Sequence, residues 1–233
     1  MRTVVTALGG SLLRPEIDER QTWLADLVNL VKNQVNSGTR LGIVVGGGSP
    51  AREGINLAKP LIKDVFSLDE IGISATRLNA TIIRELLKYS GVAVSNTIPV
   101  NIREAIPLMN EFPVVVMGGT NPGQTTDAVA IELAISSNSS KCIIATNVPK
   151  VYEEDPKKNN DARSFDSLTL LELQTIVGPP EHSKAGDSQI VDPIGVGYAV
   201  SSGMTLNILD GRNIENIKNA IEDKDFVGTV VSR

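Results

Sequence analysis

Two residue types that carry much of enzyme chemistry are almost absent from this sequence. Its 233 residues include one histidine, His182, and one cysteine, Cys142. A zinc site and Ser-His-Asp or Cys-His catalysis are therefore close to excluded. Cys142 stands in the apolar run Cys142–Ala145, which marks it as a structural thiol, and a lone cysteine forms no intrachain disulfide. Aromatic residues are few, with one Trp, three Tyr and four Phe, so the core has to be aliphatic. No apolar stretch is long enough to span a membrane and no signal peptide opens the sequence, which gives the expectation of a soluble, cytoplasmic protein without a membrane partner. Positive charge is not in excess either: a net charge of −5 argues against a generic nucleic-acid binder. An acidic protein that handles phosphates must concentrate its few cations locally or recruit a divalent metal. Two phosphate-binding signatures are missing as well. No loop ends in Gly-Lys-Ser/Thr at Walker A spacing, and none is a G-x-G-x-x-G with a ribose-binding acid downstream.

What the sequence does have is glycine at the ends of apolar runs. Phe112–Met117 reads as a buried strand, Gly118–Asp127 as a glycine- and threonine-rich loop, and Ala128–Ala134 as a helix. Unpaired amides and a positive dipole make such a helix start attractive to anions. Thr120, Thr125 and Thr126 add donors, and Asp127 is a candidate N-cap. Taken alone, the segment is equally a plain strand-to-helix loop. The pattern recurs, however: Thr3–Leu8 runs into Gly9-Gly10-Ser11, and Leu41–Val45 runs into Gly46-Gly47-Gly48-Ser49-Pro50-Ala51-Arg52. In an open parallel sheet ligands sit beyond the carboxyl ends of the strands, so three such loops point to one site for several phosphates.

The rest of the chain alternates. Helices are predicted over 17–35, 50–58, 68–89, 102–110 (interrupted by Pro107), 128–136, 168–177, within 193–202, and over 214–222. Further strands are predicted at 92–94, 141–146, 206–209 and 228–231. This order predicts an α/β fold, a three-layer α/β/α sandwich around a largely parallel central sheet. It forms one domain over 1–233, with the texture changing near Asn147 to suggest two lobes. A hairpin is expected around Val151-Tyr152. Tyr152 either stacks on a nucleobase or covers the core edge. Lys184, in the polar stretch 181–188, is either a cation that reaches the phosphates or an exposed loop lysine. Asp192 either orients an essential group or caps the next helix.

The ordered set Gly9-Gly10-Ser11, Gly46-Gly47-Gly48 with Arg52, Gly118–Asp127, Thr146-Asn147-Val148, Val151-Tyr152 with Asp155-Pro156, and Lys184-Ala185-Gly186 resembles the amino-acid kinase superfamily. Within it, the likeness is to uridylate (UMP) kinases of archaeal type, over essentially the whole chain. The resemblance implies transfer of the γ-phosphoryl group of ATP to UMP with Mg²⁺, in pyrimidine nucleotide biosynthesis. It also implies the site. Gly9, Gly10 and Ser11 would face the transferring phosphates, with Lys184 as the mobile cation. Gly48, Arg52, Thr146, Asn147, Tyr152 and Asp155 would hold ATP. Gly47, Asp69, Thr120, Asn121, Pro122, Gly123, Gln124, Thr125 and Thr126 would hold UMP. No residue is assigned as a metal ligand. Such enzymes are homo-oligomers, typically hexamers built as a trimer of dimers. The acceptor lobe would comprise about 1–146 and the ATP lobe about 147–233.

Two departures stand out. Many members of the superfamily place a lysine in the first strand just before Gly-Gly, where this sequence has Ala7-Leu8. Pro149-Lys150 replaces the usual Asp-Gly turn. Alternatives remain open at this level: an isopentenyl phosphate kinase, which would carry a histidine shortly after the Gly46–Gly48 loop, or a non-catalytic nucleotide- or oxyanion-binding protein on the same fold.

Overall fold

The computed structural model describes residues 2–13, 20–154, 159, 161–181 and 190–233. Asp155 and Lys184, both implied site residues, lie outside the described residues, as does His182.

The strands are β1 (Arg2–Leu8), β2 (Thr39–Val45), β3 (Val114–Met117), β4 (Cys142–Thr146), β5 (Val151–Tyr152), β6 (Ser164–Phe165), β7 (Ser167–Thr169), β8 (Leu206–Asp210) and β9 (Gly228–Ser232). The helices are α1 (Gly10–Leu13), α2 (Arg20–Asn36), α3 (Gly48–Ala58), α4 (Val65–Tyr89), α5 (Ile102–Glu111), α6 (Thr126–Ser136), α7 (Leu170–Val177), α8 (Pro193–Ser202) and α9 (Ile214–Ile221).

Seven strands form one sheet in the order β3-β2-β1-β4-β8-β9-β7. The five from β3 to β8 are parallel neighbours. β9 runs antiparallel to β8, and β7 is parallel to β9. β5 and β6 form a separate antiparallel pair, the hairpin expected around Val151-Tyr152. The central strands are apolar at nearly every position because helices cover both faces. Alternate residues of one strand enter different cores. Val4, Ile43, Val45, Val116 and Ile143 pack with Trp23, Leu27, Ile83, Leu87 and Ile217 from α2, α4 and α9. Val5, Val44, Val115, Met117 and Ile144 pack with Met109, Ile131, Leu133, Leu173 and Val196 from α5 to α8. This is the three-layer sandwich.

Some predicted elements differ. Val92–Val94 is no strand; it makes a single parallel bridge, Val94 to Val114, because Ser90 and Gly91 turn the chain immediately before it. The helix predicted from Leu168 begins at Leu170. Ser167–Thr169 joins β9 instead, and Thr169 closes the helix start with Glu172 in a reciprocal capping box. Pro107 does not interrupt α5. It lies on the exposed side of the helix, where the loss of the Arg103 carbonyl's helical donor is tolerated. Asp127 is not the cap of α6: Thr125 holds the extended N-cap conformation and Asp127 falls in the first turn.

Candidate active site

The parallel strands β1, β2, β3, β4 and β8 deliver their carboxyl ends to one edge of the sheet. From β1 the chain moves outward through β2 and β3, then crosses back to place β4 on the other side of β1. That reversal is the topological switch point where α/β sheets bind ligands. The Gly9 amide donates to the Ala145 carbonyl across the seam (2.9 Å), and the Gly46 amide donates to the Leu8 carbonyl (2.8 Å).

The first two glycine loops interlock backbone to backbone. A Cβ on Gly10 would lie 2.1 Å from the Gly48 nitrogen, and one on Gly48 would lie 2.5 Å from the Gly10 carbonyl oxygen. Gly48 also has φ +61, a left-handed conformation that favours glycine. The loop after β2 therefore rests directly on the loop after β1, with no side chain between them.

Helix caps separate this edge from the rest of the molecule. The starts of α4, α5, α7, α8 and α9 are closed by the side chains of Asp64, Asn101, Thr169, Asp192 and Asn213. The starts of α3, at Gly47, and α6, at Thr125, have no side-chain cap. Both follow glycine loops of the switch-point edge, so two positive helix ends without a side-chain cap lie on the edge where α/β sheets bind anions.

The Gly118–Gln124 loop is held from several sides. Asp69 of α4 accepts from the Gly123 amide (2.8 Å). Thr120 donates to the Gln124 carbonyl oxygen of the side chain (3.1 Å), and the Gln124 amide group donates to the Tyr198 hydroxyl (3.2 Å). Asp192 accepts from Ile194 (2.7 Å) and Gly195 (3.3 Å) through one oxygen and from the Thr125 amide (3.0 Å) through the other. Asp192 thus caps α8, the second of its two sequence readings, and ties that helix to the start of α6.

The sequence offers Asp127 only as a candidate N-cap, which the structure assigns to Thr125. Dense packing around it pushes its carboxyl up to about 7, and the nearby Asp192 charge adds to the rise. An acid directly after two threonines at a glycine-loop helix start was the available signal.

The remaining implied residues are less tightly gathered. Ser11 is the second residue of α1, directly after the interlocked Gly10. Arg52 is exposed on α3 and has no hydrogen-bond partner among the described residues. Thr146 ends β4, its carbonyl accepting from Gly211 (2.8 Å), and Asn147 is exposed just beyond it. Tyr152 lies in β5, which pairs with β6 and is anchored by the Val151 amide to Thr229 (2.9 Å). Ala7 and Leu8 are 1 % exposed, so the place of the superfamily's first-strand lysine is filled by core.

Hollow volume alone does not locate this site. Concavities of about 700 and 920 Å³ lie between α2 and α9, with Leu12 of α1 in the wall, and along β9. A smaller one of about 370 Å³ adjoins Thr120 and Asn121, with Arg103 and Glu132 in its wall, and burial raises the Glu132 carboxyl.

Residues 2–210 match the model of the amino acid kinase family. The chain is 37% identical over 229 residues to the uridylate kinase of Methanococcus vannielii, covering 98% of each. It is also 37% identical over 229 residues to that of Thermoplasma volcanium, covering 98% of this chain and 97% of the relative. The crystal structure of the uridylate kinase from Archaeoglobus fulgidus superposes with a TM-score of 0.83 at 34% identity, with all of both chains covered. That of the UMP kinase from Bacillus anthracis superposes at 0.79 with 22% identity, a likeness of fold.

Proposed function

This chain belongs to the amino acid kinase family, and from that premise we propose that it is a uridylate kinase, moving the γ-phosphoryl group of ATP to UMP. An oxygen of the UMP phosphate forms a bond to the γ-phosphorus while the bond from that phosphorus to the bridging oxygen of ATP breaks. UDP and ADP leave. No protein nucleophile is required, because a loose phosphoryl-transfer transition state asks for positioning and charge neutralisation.

One observation carries this reading: the two uncapped helix starts, α3 and α6, open onto the edge where the interlocked glycine loops lie. Two fixed sets of amides match two anions that must be brought together in line, and they need no reorganisation as charge develops. On this reading Gly9, Gly10 and Ser11 border the transferring phosphoryl group. Gly47, Asp69 and the Thr120–Thr126 loop hold UMP. Gly48, Arg52, Thr146, Asn147, Tyr152 and Asp155 hold ATP. With Ala7-Leu8 in the first strand, side-chain positive charge falls to Arg52 and Lys184. The hydroxyl and carboxylate oxygens of this edge are the donor type that suits Mg²⁺. The ion would arrive on the ATP phosphates and supply charge neutralisation there. The resemblance further supports two lobes meeting near residue 146, a place in cytoplasmic pyrimidine nucleotide synthesis, and a hexamer. Sedimentation at six times the 24.8 kDa protomer mass would establish the last.

The deciding experiment is ADP release from ATP and Mg²⁺ with UMP, CMP, dUMP, isopentenyl phosphate and N-acetylglutamate offered separately. Turnover that strongly favours UMP is the expected result. Turnover centred on another acceptor, or none from folded protein that binds ATP, overturns the proposal.

A further inference from the structure

Thr76 is 7 % exposed and lies on α4 between the loops that follow β2 and β3. Its hydroxyl donates to the Ile73 carbonyl (2.6 Å) and accepts from the Gly119 amide (2.7 Å). A Cβ on Gly118 would come within 2.5 Å of that oxygen, and one on Gly47 would meet the Thr76 methyl at 3.5 Å. One small side chain therefore faces the Gly47 loop with its methyl and holds the Gly119 loop with its hydroxyl. Three residues on, Asn79 is fully buried and its amide group donates to the carbonyls of Gly46 (2.8 Å) and Gly47 (3.0 Å). Asp69 and Arg77 of the same helix reach Gly123 and the Thr120 carbonyl. α4 is the bracket that binds the two loops together.

We propose that Thr76 is a positioning residue for the acceptor, setting the spacing between Gly47 and the Thr120–Thr126 loop. The proposal rests on the uridylate kinase reading, in which those two loops hold the two sides of UMP. Threonine suits the position because it supplies both contacts: valine keeps the methyl and loses the acceptor for Gly119, whereas serine keeps the acceptor and loses the methyl. In-line transfer is sensitive to displacements of about 1 Å, so a loosened Gly119 should weaken acceptor binding before it disturbs ATP.

The test compares Thr76→Val and Thr76→Ser with the wild type in steady-state kinetics for each substrate and in amide hydrogen exchange of the free protein. The expected T76V enzyme has a UMP KM raised tenfold or more with its ATP KM within twofold. Its exchange is faster over residues 118–124 and unchanged in β4 and α9. T76S stays within threefold of wild type in every quantity. If T76V fails to fold, Thr76→Ala takes its place. Wild-type KM and exchange in T76V would overturn the proposal. So would a rise in both KM values with exchange faster throughout, which marks a merely structural residue. A wild-type protein that ignores UMP defeats the functional reading separately. Exchange measured without substrate would still decide whether Thr76 anchors the loop, faster local exchange upholding that role and unchanged exchange overturning it.

Discussion

Burial, with the nearby Asp192 charge adding to it, lifts the Asp127 carboxyl to about 7 from its ordinary value of 3.8. Between those two values the folded protein binds more protons than the unfolded chain. Stability therefore falls as pH rises from about 4 to about 7, and the penalty is complete above 7. Asp127→Asn removes the charge. Its stability advantage should be near zero at pH 4 and grow to about 1–3 kcal/mol at pH 8, read by urea denaturation across the range. A constant difference would mean that Asp127 titrates normally. Gly10 tests the opposite quantity, space. A methyl group there would meet the Gly48 nitrogen at 2.1 Å, and because both partners are backbone neither can rotate away. Gly10→Ala should cost about 1–3 kcal/mol or more and abolish turnover by parting the loops, which melting and ADP release would record. The glycines themselves were legible in the sequence. Which glycine meets which was not, since Gly10 and Gly48 are brought together only by strand pairing of β1 with β2. Thr76 and Asn79 were invisible for a related reason: a Thr and an Asn on an amphipathic helix carry no local sign of the loops they hold.

Among the elements, the parallel strands announced themselves as short apolar runs because each is buried on both faces. The elements depart from expectation where local preference is ambiguous. Both Thr125 and Asp127 are good N-caps, and the choice between them is made by Asp192, which reaches the Thr125 amide from far along the chain. Leu168 looked like the first apolar position of a helix but belongs to an edge strand paired with β9. Asp192 joins two elements, so its loss should exceed that of an ordinary cap. Asp192→Ala leaves Ile194, Gly195 and Thr125 without their acceptor. A cap contributes about 0.5–2 kcal/mol, and a further unpaired buried amide adds about 1–3 kcal/mol. Chemical denaturation should show a loss above about 2 kcal/mol. Asp192→Asn, which retains one acceptor oxygen, should lose less. Equal losses in the two variants would mean that the tie to Thr125 contributes nothing.

At the scale of the whole molecule, the site is assembled from parts of the chain far apart in sequence: loops after β1, β2 and β3, a bracket on α4, and a strut from α8. A ligand seated among them stabilises only the folded state, by RT ln(1 + [L]/Kd), or about 2.7 kcal/mol at one hundred times Kd. For a chain of this size each kcal/mol moves Tm by about 2–4 °C. UMP alone and ATP with Mg²⁺ alone should each raise Tm by about 5–10 °C at that excess, because the open helix starts α3 and α6 offer separate anion cradles. Thr76→Val, with UMP binding weakened tenfold or more, should lose about half of the UMP shift or more and keep the ATP shift, since its hydroxyl holds only the Gly119 loop. Inorganic phosphate at the same concentration as UMP should give little, having no uracil or ribose for Asp69 and the Thr120–Thr126 loop to grip. A phosphate shift equal to that of UMP would reveal an anion cradle without nucleoside selectivity, and would remove the acceptor role assigned to that loop.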